Sequence, residues 1–126
     1  MLYEVSMKAG RKATGGKYKR PKKRKKVGRQ KEARVVKLGD AKTKMLRARG
    51  GSQKLVALTD NIANVVKGGK SQKTTIKNVL ETPANTFLAR QNVLVKGAVI
   101  ETELGKAKIT NRPSQEGFVQ AVIVDN

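Results

Sequence analysis

Apolar and polar residues alternate along most of the chain after residue 31 and hardly at all before it. Short runs with a two-residue period occupy 34–38, 43–48, 54–58, 62–66, 74–80, 93–95, 98–104, 107–110 and 118–124. Side chains of a strand point by turns to its two faces, so each run reads as a half-buried strand. Between the runs stand Gly39-Asp40, Gly50-Gly51, Asp60-Asn61, Gly68-Gly69, Gly97, Gly105, Pro113 and Gly117, all of types that turn the chain. Many short strands at this spacing predict an all-β fold, a small β-barrel-like domain.

The clearest piece is 97–111. Ala98, Ile100, Thr102 and Leu104 alternate with Val99, Glu101 and Glu103, and beyond a turn Ala107 and Ile109 alternate with Lys106, Lys108 and Thr110. Gly105-Lys106 fits a two-residue hairpin loop with Gly first. The hairpin places Glu101 and Glu103 on the outer face with Lys106 and Lys108, where opposite charges attract across the strands. Residues 83–91 (PANTFLARQ) hold the only candidate helical turn.

Residues 1–30 lack that alternation, and Gly10, Gly15, Gly16, Pro21 and Gly28 interrupt any period. Within them, 17–26 (KYKRPKKRKK) carries eight positive charges and no acid. A like-charged block of this density cannot offset the entropy of ordering by burial, and basic blocks act as nucleic-acid-binding arms. The whole chain has 126 residues and a formal net charge of +20, and its first 50 residues hold 19 of the 29 Lys and Arg against three acids. The expected organisation is therefore a long basic, extended N-terminal arm over 1–30, disordered alone, followed by the β-barrel-like domain over 31–126. The expected partner is a polyanion.

Composition narrows the chemistry. There is no Cys and no His, which removes disulfides, thiolate metal sites, cysteine nucleophiles and imidazole bases. Glu101 and Glu103 form the only close carboxylate pair, and without a third acid they read as a solvated strand face. Gly69-Lys70-Ser71 resembles the end of a phosphate-binding loop, but position 64 is Asn where the motif needs Gly. The chain is thus expected to be no enzyme, with no cofactor, no metal and no small-molecule substrate. No apolar stretch approaches the roughly 18 residues of a membrane span, so no membrane partner is expected.

Three double glycines stand beside bases: Gly15-Gly16-Lys17, Arg49-Gly50-Gly51 and Gly68-Gly69-Lys70. Glycine lets backbone approach a phosphate that a neighbouring base neutralises. Gly68-Gly69 reads as a hairpin loop, whereas Arg47 and Arg49, two residues apart on a strand, would aim two guanidinium forks from one face. Tyr3, Tyr18, Phe87 and Phe118 are the only aromatics. Base stacking is therefore expected to contribute little, with Phe87 and Phe118 in the core and recognition resting on phosphates and RNA shape.

Several segments resemble one known family. They are Arg11-Lys12-Ala13-Thr14-Gly15-Gly16-Lys17, then Arg47-Ala48-Arg49-Gly50-Gly51-Ser52-Gln53-Lys54, then Pro83-Ala84-Asn85 with Arg90-Gln91-Asn92, and the long stretch 96–117 (KGAVIETELGKAKITNRPSQEG). The family is the archaeal and eukaryotic small-subunit ribosomal protein numbered eight in the eukaryotic series, here in its short archaeal form. Thr82 and Ser52 stand where the family usually has Asn, and Gln91 where it has a second Arg. The resemblance implies a β-barrel-like body with a basic extension in rRNA. The expected function is a structural constituent of the small ribosomal subunit, a monomer within the cytoplasmic ribosome, touching small-subunit rRNA and other small-subunit ribosomal proteins. Expected phosphate contacts are Arg11, Lys12, Lys17, Lys19, Arg20, Lys22, Lys23, Arg24, Lys25 and Lys26. Thr14, Gly15 and Gly16 allow close backbone approach, and Arg47, Arg49, Gly50, Gly51, Lys54, Lys96 and Arg112 form the domain's contact surface. The charge run alone would equally serve a DNA-compacting, chromatin-type basic protein.

Overall fold

The computed structural model describes residues 10–19, 21–29 and 33–124. The chain divides into two compact units, Met1–Glu32 and Ala33–Asn126.

The larger unit is built on a closed five-stranded barrel of β4 (Ile62–Lys67), β5 (Lys70–Glu81), β6 (Val99–Thr102), β7 (Gly105–Ile109) and β8 (Val119–Ile123). Successive strands pair antiparallel, and β8 closes the barrel by lying parallel to β4, with Ala63 opposite Val119 and Val65 opposite Ala121. So narrow a barrel has room inside only if large side chains face small ones. Ile100 pairs with Ala107, Ile109 with Ala121 and Val119 with Ala63, all fully buried. The aliphatic, aromatic-poor composition is what this interior requires.

Two strands solve geometric problems. The β4–β5 hairpin turns on Gly68 and Gly69, whose φ values of 55° and 81° are those of a two-residue loop with both centres left-handed. The twelve-residue β5 serves two neighbours, pairing with β4 over its first half and β6 over its second. Register shifts between Ile76 and Asn78 and between Val79 and Glu81 bend it around that corner.

A three-stranded sheet accompanies the barrel, with β3 (Gln53–Asp60) between the parallel β1 (Lys37–Leu38) and the antiparallel β2 (Lys42–Arg47). The Ala57 N–H donates to the Pro113 and Glu116 carbonyls at 3.1 and 3.2 Å, and Leu55 fills the space beside Gly117 where a Cβ would stand. The Leu94 N–H donates to the Val36 carbonyl at 2.8 Å. Sheet and barrel share one cluster of buried residues that includes Val36, Ala57, Leu94 and Ile100.

The one α-helix among the described residues, α1 (Thr86–Arg90), lies in the segment expected to hold a helical turn. Asn85 caps it by accepting the Phe87 N–H at 3.0 Å. Its end is a Schellman motif: Val93 N–H donates to the Leu88 carbonyl, Asn92 N–H to the Ala89 carbonyl, and Asn92 takes the left-handed φ of 52°.

Four expectations need correction. Phe87 and Phe118 are not core residues but are 64% and 43% exposed. On one helical turn Leu88 and Ala89 face inward, leaving Phe87 outside, and in β8 the inward parity belongs to Val119 and Ala121. The 93–95 run is not a strand and contributes only an isolated bridge from Val93 to Lys37. The β6–β7 turn falls on Glu103-Leu104, not Gly105-Lys106, so Thr102 opposes Gly105 and Glu101 opposes Lys106. The Thr102 hydroxyl donates to the Gly105 carbonyl at 2.8 Å, locking that earlier turn. Glu103 then leaves the strand face, and its carboxylate accepts the Thr75 hydroxyl at 2.7 Å.

In the smaller unit every described residue is exposed. The sequence leads to an extended arm, disordered alone; within it residues 11–17 take a tight loop closed by a bridge between Arg11 and Lys17. Lys26–Gly28 adds a single 3-10 turn.

Candidate nucleic-acid interface

The loop at 11–17 shows why its sequence carries two glycines. Gly15 N–H donates to the Lys12 carbonyl and Lys12 N–H to the Gly16 carbonyl, both at 2.8 Å, and Gly15 stands at a φ of 81°. The Arg11 guanidinium closes the loop by donating to the Gly15 carbonyl at 3.0 Å. Lys12 lies over the Tyr18 ring, its Nζ 5.8 Å from the centroid, so Lys12, Lys17 and Arg11 are gathered about one turn. Thr14 and Gly16 lie in the same loop. Lys19, Lys22, Lys23, Arg24, Lys25 and Lys26 follow with exposed side chains, and Arg20 lies outside the described residues. No acid occurs between residues 10 and 29. Among the described residues of this unit no carboxylate stands beside the ammonium and guanidinium groups, and their field is that of a dense positive line.

In the larger unit, Arg47 closes β2 and Arg49 opens a 3-10 turn, Arg49–Gly51. The two arginines are exposed but do not share a strand face, because the strand ends at Arg47. The loop is held by Ala48 N–H donating to the Ser52 carbonyl at 2.7 Å and Ser52 Oγ donating to the Arg49 carbonyl at 3.3 Å. Gly50 and Gly51 stand at φ values of 78° and 80°. Lys54, next along β3, donates through Nζ to the side-chain oxygen of Gln115. Arg112 starts the turn that contains Gln115, its carbonyl accepting from Gln115 and Glu116 N–H. Lys96 lies on a separate turn, where Gly97 N–H donates to the Ile109 carbonyl at 2.8 Å.

Lys54 and the Arg112 turn are thus brought together, with Lys96 on a second turn tied to the end of β7. Arg34, which no sequence motif singles out, belongs with them: its Nε donates to the Ser114 carbonyl at 3.4 Å. The β4–β5 hairpin holds a second basic group, of which the double-glycine motif singled out only Lys70. Lys67 and Lys70 stand directly opposite one another, and Lys73 and Lys77 continue along β5, all exposed. Like charges placed opposite each other weaken a hairpin unless an anion sits near. Lys77 alone lies in a predicted strand, at 74–80, while Lys67, Lys70 and Lys73 stand just outside the predicted runs at 62–66 and 74–80. Among the described residues, no three carboxylates, imidazoles or thiols come together as a metal site would require.

Comparison with known proteins points to one family. Residues 6–124 match the family model described as Ribosomal protein S8e. A protein named small ribosomal subunit protein eS8 from Methanococcus aeolicus is 45% identical, the match covering 91% of this chain and 92% of that protein. Proteins of the same name from Methanocorpusculum labreanum and Haloarcula marismortui are 44% and 38% identical, covering 94% and 91% of this chain and 96% and 94% of their own lengths. With nearly its whole length matched, the chain belongs to the ribosomal protein S8e family.

Proposed function

We propose that this protein is a structural constituent of the small ribosomal subunit in the cytoplasm, binding rRNA through its phosphates and shape. Its partners are small-subunit rRNA and neighbouring ribosomal proteins, and its role is architectural rather than catalytic. The observation that carries the reading is the run at 17–26, eight bases without one acid. Packing rRNA helices against each other is opposed by phosphate repulsion, and a line of fixed cations relieves it while releasing condensed counterions.

In this reading the arm acts through Arg11, Lys12, Lys17, Lys19, Arg20, Lys22, Lys23, Arg24, Lys25 and Lys26. Thr14, Gly15 and Gly16 let backbone approach the sugar–phosphate chain. The larger unit docks through Arg47, Arg49, Gly50, Gly51, Lys54, Lys96 and Arg112. Lys54 shares its ammonium between Gln115 and phosphate, since it has three protons to donate.

Salt titration tests the mechanism. Binding to a random-sequence RNA duplex is expected to fall roughly a thousandfold or more between 50 and 200 mM salt if six to ten phosphates are neutralised. A nearly flat response would mean that base contacts dominate, and the phosphate mechanism would be wrong.

A further inference from the structure

The larger unit has one surface feature that phosphate binding leaves unused. Phe87, 64% exposed, projects from α1, and the Arg90 guanidinium lies over its ring, 5.8 Å from the centroid. Positions three apart on a helix are neighbours, so the two side chains form one composite plate. An open cleft of about 400 Å³ runs between α1 and the bent half of β5, lined on the helix side by Thr86, Ala89 and Arg90, so the plate adjoins it through Arg90 and not through Phe87. Val79, Leu80 and Ala89 supply its apolar lining, and Asn78, Thr86 and Asn92 supply hydrogen-bonding groups. No carboxylate lines it.

We propose that the Phe87–Arg90 plate, which meets this cleft at Arg90, receives an unstacked RNA base that stacks on the plate and turns its edge toward the cleft. The inference rests on the reading that RNA is the partner and adds a contact with the base itself. Aromatic rings and guanidinium planes are the surfaces on which splayed-out bases stack. Asn78 and Asn92 each offer a carboxamide donor and acceptor, the combination that a base edge requires. Asn92 is held at the Schellman position and Asn78 at the β5 register shift, so both are fixed by backbone geometry. Arg90 also supplies a charge for the phosphate of the same nucleotide. An apolar protein segment would need neither the two amides nor the cation.

The test compares a twelve-nucleotide oligouridylate with an abasic oligomer of equal length and charge. Phe87→Ala in the full chain is expected to weaken oligouridylate binding roughly 5- to 150-fold, the range for removing one base stack, and to leave abasic binding unchanged. The chain has no Trp, so Phe87→Trp places in the plate the one indole of the chain, excited selectively over its two tyrosines, while preserving a stacking ring. Its emission is expected to be quenched by oligouridylate and not by the abasic oligomer. Phe87→Ala binding both oligomers as the unmodified chain does, or Phe87→Trp responding alike to both, would overturn the proposal; a neighbouring protein as occupant predicts that result. Failure of the unmodified chain to bind the abasic oligomer at low salt would instead overturn the phosphate reading, which separates the two.

Discussion

Gly50 and Gly51 stand consecutively in the left-handed region, at φ of 78° and 80°. Residues 48–52 reverse the chain between the register partners Arg47 and Gln53, and the turn depends on both of those conformations. Space is not limiting, because a Cβ on either glycine meets nothing within 4 Å. Gly50→Val therefore isolates backbone strain, expected to cost on the order of 1–3 kcal/mol and to lower the melting temperature. Arg47→Ala with Arg49→Ala does the reverse: both side chains are exposed, so stability should hold while RNA affinity falls. Thermal melting and filter binding of both variants check this, and native RNA affinity in the double alanine variant would remove the loop from the interface. Spacing alone put the two arginines on one strand face. That inference needs the strand to run through Arg49, and the paired glycines end it earlier. Phe118 is the opposite case, since its outward parity was readable from the inward Val119 and Ala121.

A two-residue period decides which face a side chain takes, but it leaves the turn position open between registers of equal parity. The β6–β7 hairpin shows this. Moving its turn from Gly105-Lys106 to Glu103-Leu104 keeps Ile100, Thr102, Ala107 and Ile109 inside in either case. The apolar pattern therefore identified the strands, and the choice of register fell to the Thr102–Gly105 hydrogen bond and the φ of 121° that Gly105 adopts. Cross-linking reads the register directly, and the chain has no Cys to confuse it. Glu101 and Lys106 are directly opposed, where Cα atoms of antiparallel partners stand about 4.5–5.5 Å apart, within reach of a disulfide. Glu101→Cys with Lys106→Cys is expected to oxidise to an intramolecular disulfide without loss of folding. Glu103→Cys with Lys108→Cys, partners only in the alternative register, is expected to stay reduced. The reverse result on a non-reducing gel would overturn the observed register.

A separation of charge from alternation was legible along the chain, the one concentrated before residue 30 and the other after 31. Barrel closure was not. The β4 and β8 strands pair in parallel from distant parts of the sequence, and such a pairing has no connecting turn to announce it. Apart from Lys70 beside its double glycine, the lysines of β4 and β5 escaped notice for a related reason: they align only once the hairpin register is known. The separation of roles has an energetic consequence. All residues of the buried cluster, from Val36 to Ala121, lie in the larger unit, and every described residue of the smaller one is exposed. Deleting residues 1–30 removes 12 of 29 bases and none of that apolar cluster. The remaining chain is expected to unfold cooperatively at a nearly unchanged melting temperature, because the terms that oppose chain entropy are burial and strand pairing. Its RNA affinity is expected to drop sharply, and the slope of log affinity against log salt to shrink by about 0.9 for each phosphate that the arm no longer neutralises. A truncated protein that fails to fold would show that the arm stabilises the larger unit. One that folds and keeps both affinity and slope would place RNA recognition on the barrel and its sheet, with the basic run at 17–26 serving something else.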